Sequence, residues 1–177
     1  MIKNIILYSV ILLSFSISSC SNLILFTQDI RNDLSDNNLE VEKVQYYNSD
    51  KIVLKRNLTK EETQIAKGTI LLENGQYFEE IVIPKKTKGI AVKQGRKFLN
   101  IAFEVGENRD LRFSLNDDNQ YQISADNWKN DYGCIDYDTT TYFIVPASSN
   151  TLLLVNKEYI SNFEKERRVL KGRSVSR

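Results

Sequence analysis

"TILLENGQYFEEIVI", residues 69–83, is the stretch on which the reading of the fold turns. Asn74 and Gly75 suit the two central positions of a type I′ turn, both of which need positive φ. A two-residue turn of that kind fixes an antiparallel hairpin, with Leu72 opposite Tyr77 and Leu71 opposite Phe78. Working outward, the hydrophobic period stays near two. "FLNIAFE" puts Leu99, Ile101 and Phe103 on one face. "LRFSL" separates Leu111, Phe113 and Leu115 from Arg112 and Ser114. "YQISA" alternates Tyr121, Ile123 and Ala125 with Gln122 and Ser124.

"LEVEKVQYY", "KIVLKR", "GIAV", "CIDYD", "YFIVP" and "TLLLV" complete the set of strand-like runs. Roughly ten short strands at spacings of about 8–12 residues predict a mainly β chain, an antiparallel sandwich or barrel. No long helical run separates the strands, so a parallel α/β sheet is not expected. Two helices frame them. "TQDIRNDLSDNN" has Thr27 as cap, Asp29 at its positive end and an Ile30/Leu34 stripe. A second is expected from Asn156 as cap, with Tyr159, Ile160 and Phe163 apolar and Gly172 beyond its end. Thr59 and Glu62 match a capping box and suggest one helical turn before Gly68, a polar connection being the other reading.

The chain has 177 residues, 27% of them charged, and a formal net charge of +1. That is the balance of one globular domain, and it lacks the strong basic bias of a nucleic-acid binder. Two prolines and seven glycines leave little for a flexible interdomain linker. There is no histidine. Ser-His-Asp and Cys-His catalytic arrangements and His-containing zinc sites are therefore excluded.

The first residues have a different character. Lys3 precedes the apolar "IILYSVILLSFSI", and small residues lead to Cys20. A charged start, an apolar core and a small-residue site describe a secretory signal. "ISSC" (Ile17, Ser18, Ser19, Cys20) resembles the lipobox of bacterial lipoproteins. The resemblance implies diacylglycerol on the Cys20 sulfur, cleavage before Cys20 and acylation of the new amine. The competing reading is an uncleaved membrane helix, since no charge occurs between Lys3 and Asp29. The polar "SISSCSN" near its centre argues against it. Ser21 and Asn22 alone separate Cys20 from "LILF", so the domain is expected close to the bilayer.

The segment after Cys20 lacks the acidic cluster that resembles a surface-export signal in Bacteroidota lipoproteins. Ser21 is not the aspartate associated with inner-membrane retention in enteric bacteria. These likenesses imply the periplasm-facing leaflet of an outer membrane. The expected organisation is a signal peptide over residues 1–19 and a lipidated anchor segment over 20–26. A single β-rich domain follows over 27–163, then a basic C-terminal arm over 164–177.

Candidate chemistry is sparse. Once Cys20 is lipidated, Cys134 has no internal disulfide partner and is expected as a buried structural cysteine. The carboxylate pairs Glu61–Glu62, Glu79–Glu80, Asp117–Asp118 and Asp136/Asp138 are expected as solvated charge, because adjacent strand residues face opposite ways. "NDDNQ", residues 116–120, reads as a hairpin loop rather than a calcium loop. No metal ligand set and no cofactor are expected. Trp128, Tyr132 and Tyr137, with Tyr46 and Tyr47, are candidate ligand-binding aromatics, core packing being the alternative. Arg167, Arg168, Lys171 and Arg173 in the tail, which carries six basic and two acidic residues, are candidate partner-binding residues, a frayed solubilising end being the alternative.

The mature sequence loosely resembles accessory lipoproteins of Bacteroidota envelope machines such as secretion systems. The expected function is a non-enzymatic structural or assembly component of a periplasmic envelope complex. A glycan- or small-ligand-binding β-module is the alternative, and a histidine-free carboxylate hydrolase a further one. Partners are expected to be the membrane, through Cys20, and other envelope proteins.

Overall fold

The computed structural model describes residues 22–165. The expectations for Cys20, for the signal segment and for Arg167, Arg168, Lys171 and Arg173 lie outside these residues, as does that for the Phe163 side chain. The fold is mainly β, with two antiparallel sheets packed in a sandwich-like arrangement. Among the described residues there are thirteen strands, where roughly ten are expected from sequence. The surplus comes from three-residue strands such as β1 (Leu23–Leu25), too short to show a period.

One sheet has seven strands in the order β1, β13 (Leu153–Asn156), β2 (Gln45–Asn48), β6 (Lys88–Gly95), β7 (Phe98–Ala102), β8 (Asp110–Leu115) and β9 (Tyr121–Ile123). It curls until its two edges meet. The Tyr121 N–H donates to the Phe26 carbonyl at 3.3 Å, and the Ile123 N–H to the Thr151 carbonyl at 2.8 Å. Closure removes most of the free edge that a sheet otherwise exposes. The second sheet has six strands, in the order β10 (Asn127–Lys129), β11 (Tyr132–Tyr137), β12 (Thr140–Ile144), β3 (Ile52–Leu58), β5 (Gln76–Ile83) and β4 (Thr69–Glu73).

Local rules explain the elements. Asn74 and Gly75 have φ of 50° and 78°, and β4 pairs with β5 in the register the turn demands, Leu72 with Tyr77 and Leu71 with Phe78. Helix α1 (Gln28–Asp36) starts at Thr27, whose Oγ1 accepts from the Ile30 N–H at 3.3 Å, and it buries Leu34. Helix α2 (Lys157–Lys165) starts after Asn156, whose Oδ1 accepts from the Glu158 N–H at 2.8 Å. The capping box is formed in full: the Thr59 N–H donates to Glu62 Oε2 and the Glu62 N–H to Thr59 Oγ1. "LEVEKVQYY" is not one strand. Val41–Lys43 make a 3₁₀ turn, and the strand begins at Gln45.

One core lies between the sheets. Leu99, Ile101, Leu111, Phe113, Tyr121 and Ile123 from the curled sheet meet Ile52, Leu54, Ile135 and Ile144 from the other. Residues 23–26, expected as a link ahead of the domain, belong to it: β1 pairs with β13, and the Phe26 ring is fully buried against Tyr46 at 5.1 Å. Buried Asn48 fastens two corners where the chain passes between sheets. Its Nδ2 donates to the Asp50 and Pro84 carbonyls, and its Oδ1 accepts from the Thr87 N–H. Among the described residues no helix is long and apolar enough to cross a membrane.

Candidate functional site

The alternation of the six-stranded sheet leaves an outer face on which aromatic and aliphatic residues stand among charged ones. Register places Cys134, Phe143, Lys55, Glu80 and Thr69 in one row across β11, β12, β3, β5 and β4. Val53 and Val82 are opposite each other in the next row, and Asn57, Phe78 and Leu71 in another. Residues directly opposite share a face, so these rows form one surface, with Tyr132 two positions before Cys134. Tyr132, Phe143 and Val82 are 45%, 41% and 43% exposed. Phe78, Leu71 and Cys134 are half-buried beside them.

A charged clasp interrupts this surface. Lys55 Nζ sits 5.3 Å above the Phe78 ring, 2.8 Å from Glu73 Oε1 and 3.9 Å from Glu80 Oε2. The Glu73 carboxylate bonded to it holds the ammonium above its ordinary pKa. The lysine stem covers part of the aromatic ring while its charge is matched, so the charge cluster sits within the face without leaving an unpaired ion there.

The inner side of the same sheet holds a buried ion pair. Glu79 is 1% exposed. Arg56 Nε donates to its Oε2 at 2.6 Å, and the Lys67 and Gly68 N–H groups donate to its Oε1. Arg56 also reaches Glu62 at 3.3 Å and lies over the Tyr142 ring. Burial alone would push the Glu79 carboxyl up. The Gly68 N–H and the Arg56 guanidinium outweigh it, and the group is held below the usual carboxylate range. The expectation of solvated charge is therefore corrected at Glu79. It fastens the crossover of residues 59–68 that carries the chain from β3 over β5 to β4. A carboxylate ionised by three donors has no proton to give, so this pair is built to hold a chain segment and not for acid catalysis.

Beside it, a cavity of ≈ 450 Å³ is lined by Lys67, Glu104, Arg109, Tyr137, Asp138 and Tyr142 among others. Its charges are matched. Asp138 Oδ2 meets Lys67 Nζ at 2.9 Å and Arg109 at 3.2 Å; Arg109 meets Glu104 at 3.7 Å. The hydrogen bond from Lys67 holds Asp138 low. Burial, then Glu104, pushes the Tyr137 phenol up, so it stays protonated and donates to Glu104 Oε1 at 2.8 Å. A second cavity of ≈ 600 Å³ on the far side of Asp138 is lined by Lys93, Asn100, Asp110, Asp136 and Thr141. Among the described residues no three Cys, Asp or Glu side chains converge as a metal site.

The aromatics singled out from sequence do not form one platform. Trp128 stands opposite Gly133 and Lys129 opposite Tyr132, so Trp128 and Tyr132 point to opposite faces. Tyr137 is 2% exposed, packed edge-on to Tyr142, and Tyr46 is fully buried with its hydroxyl on the Val41 carbonyl. Both share strand parity with core residues and belong to the core. Tyr132 alone of the named set lies on the outer face. Trp128, 42% exposed, lines a shallow hollow of ≈ 250 Å³ with Gln122, Asp131 and Asn150. Cys134 is free and half-buried, not buried as expected, because its neighbours Gly133 and Ile135 take the inward positions.

No composition or motif marks Phe143 or Val82 as surface residues, and the hairpin motif places Phe78 only as the partner of Leu71. The signal for them is parity: Tyr142 and Ile144 face inward, so Phe143 faces outward, and Ile81 and Ile83 do the same for Val82. Comparison with protein-family models, with curated proteins and with solved structures gave no match to this chain.

Proposed function

We propose that this chain is a non-enzymatic outer-membrane lipoprotein, tethered through Cys20, that serves as a structural or assembly component of a periplasmic envelope complex such as a secretion system. The observation that carries the reading is the outer face of the six-stranded sheet, where Tyr132, Phe143 and Val82 stand exposed together. Exposed aromatic and aliphatic side chains set around a matched charge cluster suit an interaction surface. Completing the burial of those three side chains contributes on the order of 2–4 kcal/mol, from about 1.5–3 kcal/mol per fully buried side chain. That is weak for a complex formed in solution. It suits a module whose partner shares its membrane, because a tether raises the effective concentration without new contacts. The arm residues Arg167, Arg168, Lys171 and Arg173 would add an electrostatic contact to an acidic partner surface.

The test is co-purification from detergent extracts of native membranes. The unchanged chain is expected to bring down envelope subunits, Phe143→Glu with Val82→Glu to lose them, and deletion of residues 164–177 to weaken the capture. Equal capture by all three chains would overturn the reading. The hollow beside Trp128 favours a second reading, a glycan- or small-ligand-binding module. It is checked by whether oligosaccharides change the emission of this single tryptophan.

A further inference from the structure

The six-stranded sheet ends at β4, and among the described residues nothing hydrogen-bonds the outer side of that strand. The two-residue turn fixes which backbone groups are free. Glu73 and Gln76 flank the turn as a hydrogen-bonded pair, so Leu71 and Thr69 also bond inward to β5. The N–H and C=O groups of Ile70 and Leu72 therefore point out along the edge. Natural edges are usually blunted by lysine, proline or a bulge. This one reads Thr-Ile-Leu-Leu-Glu, with Ile70 40% and Leu72 63% exposed and Ile65, in the adjoining loop, 76% exposed.

We infer that β4 is the contact strand of a two-fold homodimer, pairing antiparallel with β4 of a second copy about Leu71. The register argues for a second copy. A two-fold axis at Leu71 sets Ile70 opposite Leu72 of the other chain, and Leu72 opposite its Ile70. These are the residues whose backbone groups are free, so each pair exchanges two hydrogen bonds in the narrow geometry, giving four in all. Leu71 meets its own copy in the wide, non-hydrogen-bonded pair. Three apolar pairs result, on both faces of the junction.

The charges agree with this register. The one charged residue on β4, Glu73, falls opposite Thr69 of the other chain and is already matched by Lys55 at 2.8 Å. Moving the axis to Leu72 would set Glu73 against Leu71. The pairing joins two six-stranded sheets into one and makes the Phe78–Leu71 row continuous across the axis. This follows from the hairpin alone and is independent of the membrane tether and of the partner proposed above. The interface is isologous and closed, so it stops at two copies.

The experiment uses the full chain in detergent, carrying Cys20→Ser and Cys134→Ser, so that an introduced cysteine is the sole thiol. In the wide pair the Cα atoms are about 4.5 Å apart, within disulfide reach. Leu71→Cys is expected to give a species of doubled mass on mild oxidation. The parent without Leu71→Cys, and Ile90→Cys on the exposed face of the other sheet, are expected to give none. Adding Leu72→Lys, at a position 63% exposed, is expected to abolish the doubled species while the urea midpoint of the reduced chain, measured dilute enough to be monomeric, stays unchanged. The inference is overturned if Leu71→Cys cross-links no more than Ile90→Cys. It is equally overturned if Leu72→Lys leaves the doubled species intact, or if Leu71→Cys joins a different protein in place of its own copy.

Discussion

Arg56 Nε lies 2.6 Å from Glu79 Oε2, on neighbouring strands and beneath the crossover that leads to β4. Glu79→Ala leaves Arg56, with a side chain 14% exposed, without its main partner. A buried pair broken from one side costs about 3–5 kcal/mol, whereas its replacement by apolar groups of similar volume is close to neutral. Urea unfolding is therefore expected to show a large loss for Glu79→Ala and a much smaller one for Arg56→Met combined with Glu79→Leu. Equal losses would mean that packing, not charge, holds the crossover.

The same pair sets an acid limit. The Glu79 carboxyl is held below its usual value, so its contribution to stability is fully present above about pH 4.3, the ordinary glutamate value. It is lost as pH falls through the lower folded value, because the unfolded chain takes up the proton first. Stability measured between about pH 5 and pH 2 should fall more steeply in the native chain than in Glu79→Gln. Parallel curves would assign the acid sensitivity to other carboxylates.

Trp128 depends on a missing side chain. A Cβ at Gly133 would lie 2.8 Å from the Ala125 Cβ and 2.9 Å from the Trp128 ring. Gly133→Val is expected to lift the indole into water and shift its emission to the red. An unshifted spectrum would mean that the ring does not rest on β11.

The tether is tested at the sulfur. Cys20→Ser is expected to release the chain from the membrane fraction and to abolish incorporation of radiolabelled fatty acid. A native product that keeps Met1 and an unmodified Cys20 would remove the tether from the proposal.

Much of the fold is legible because its causes are local. The Asn74–Gly75 turn, the Thr27 and Asn156 caps and the Thr59/Glu62 box each need only a few neighbouring residues, and all form as the residue types require. Curling of the seven-stranded sheet is not legible, since it depends on Tyr121 meeting Phe26 across most of the chain. Glu79 is a different case. Charge argues for the surface, while parity with Ile81 and Ile83 argues for the interior, and parity prevails because Arg56 and two N–H groups await the carboxylate. The aromatics divide in the same way: Tyr137 follows Ile135 inward, and Tyr132, which shares the parity of Cys134, faces solvent with Phe143. The basic arm and Cys20 carry the functional reading from sequence, and the outer face of the six-stranded sheet adds what no motif marks.

Docking through that face is tested most directly by a photo-activatable residue at position 143 in cells. It is expected to cross-link to one envelope protein in high yield, while the same residue at position 96, exposed at the β6–β7 turn, gives little product. No discrete product at 143, or the same products at both positions, would contradict it.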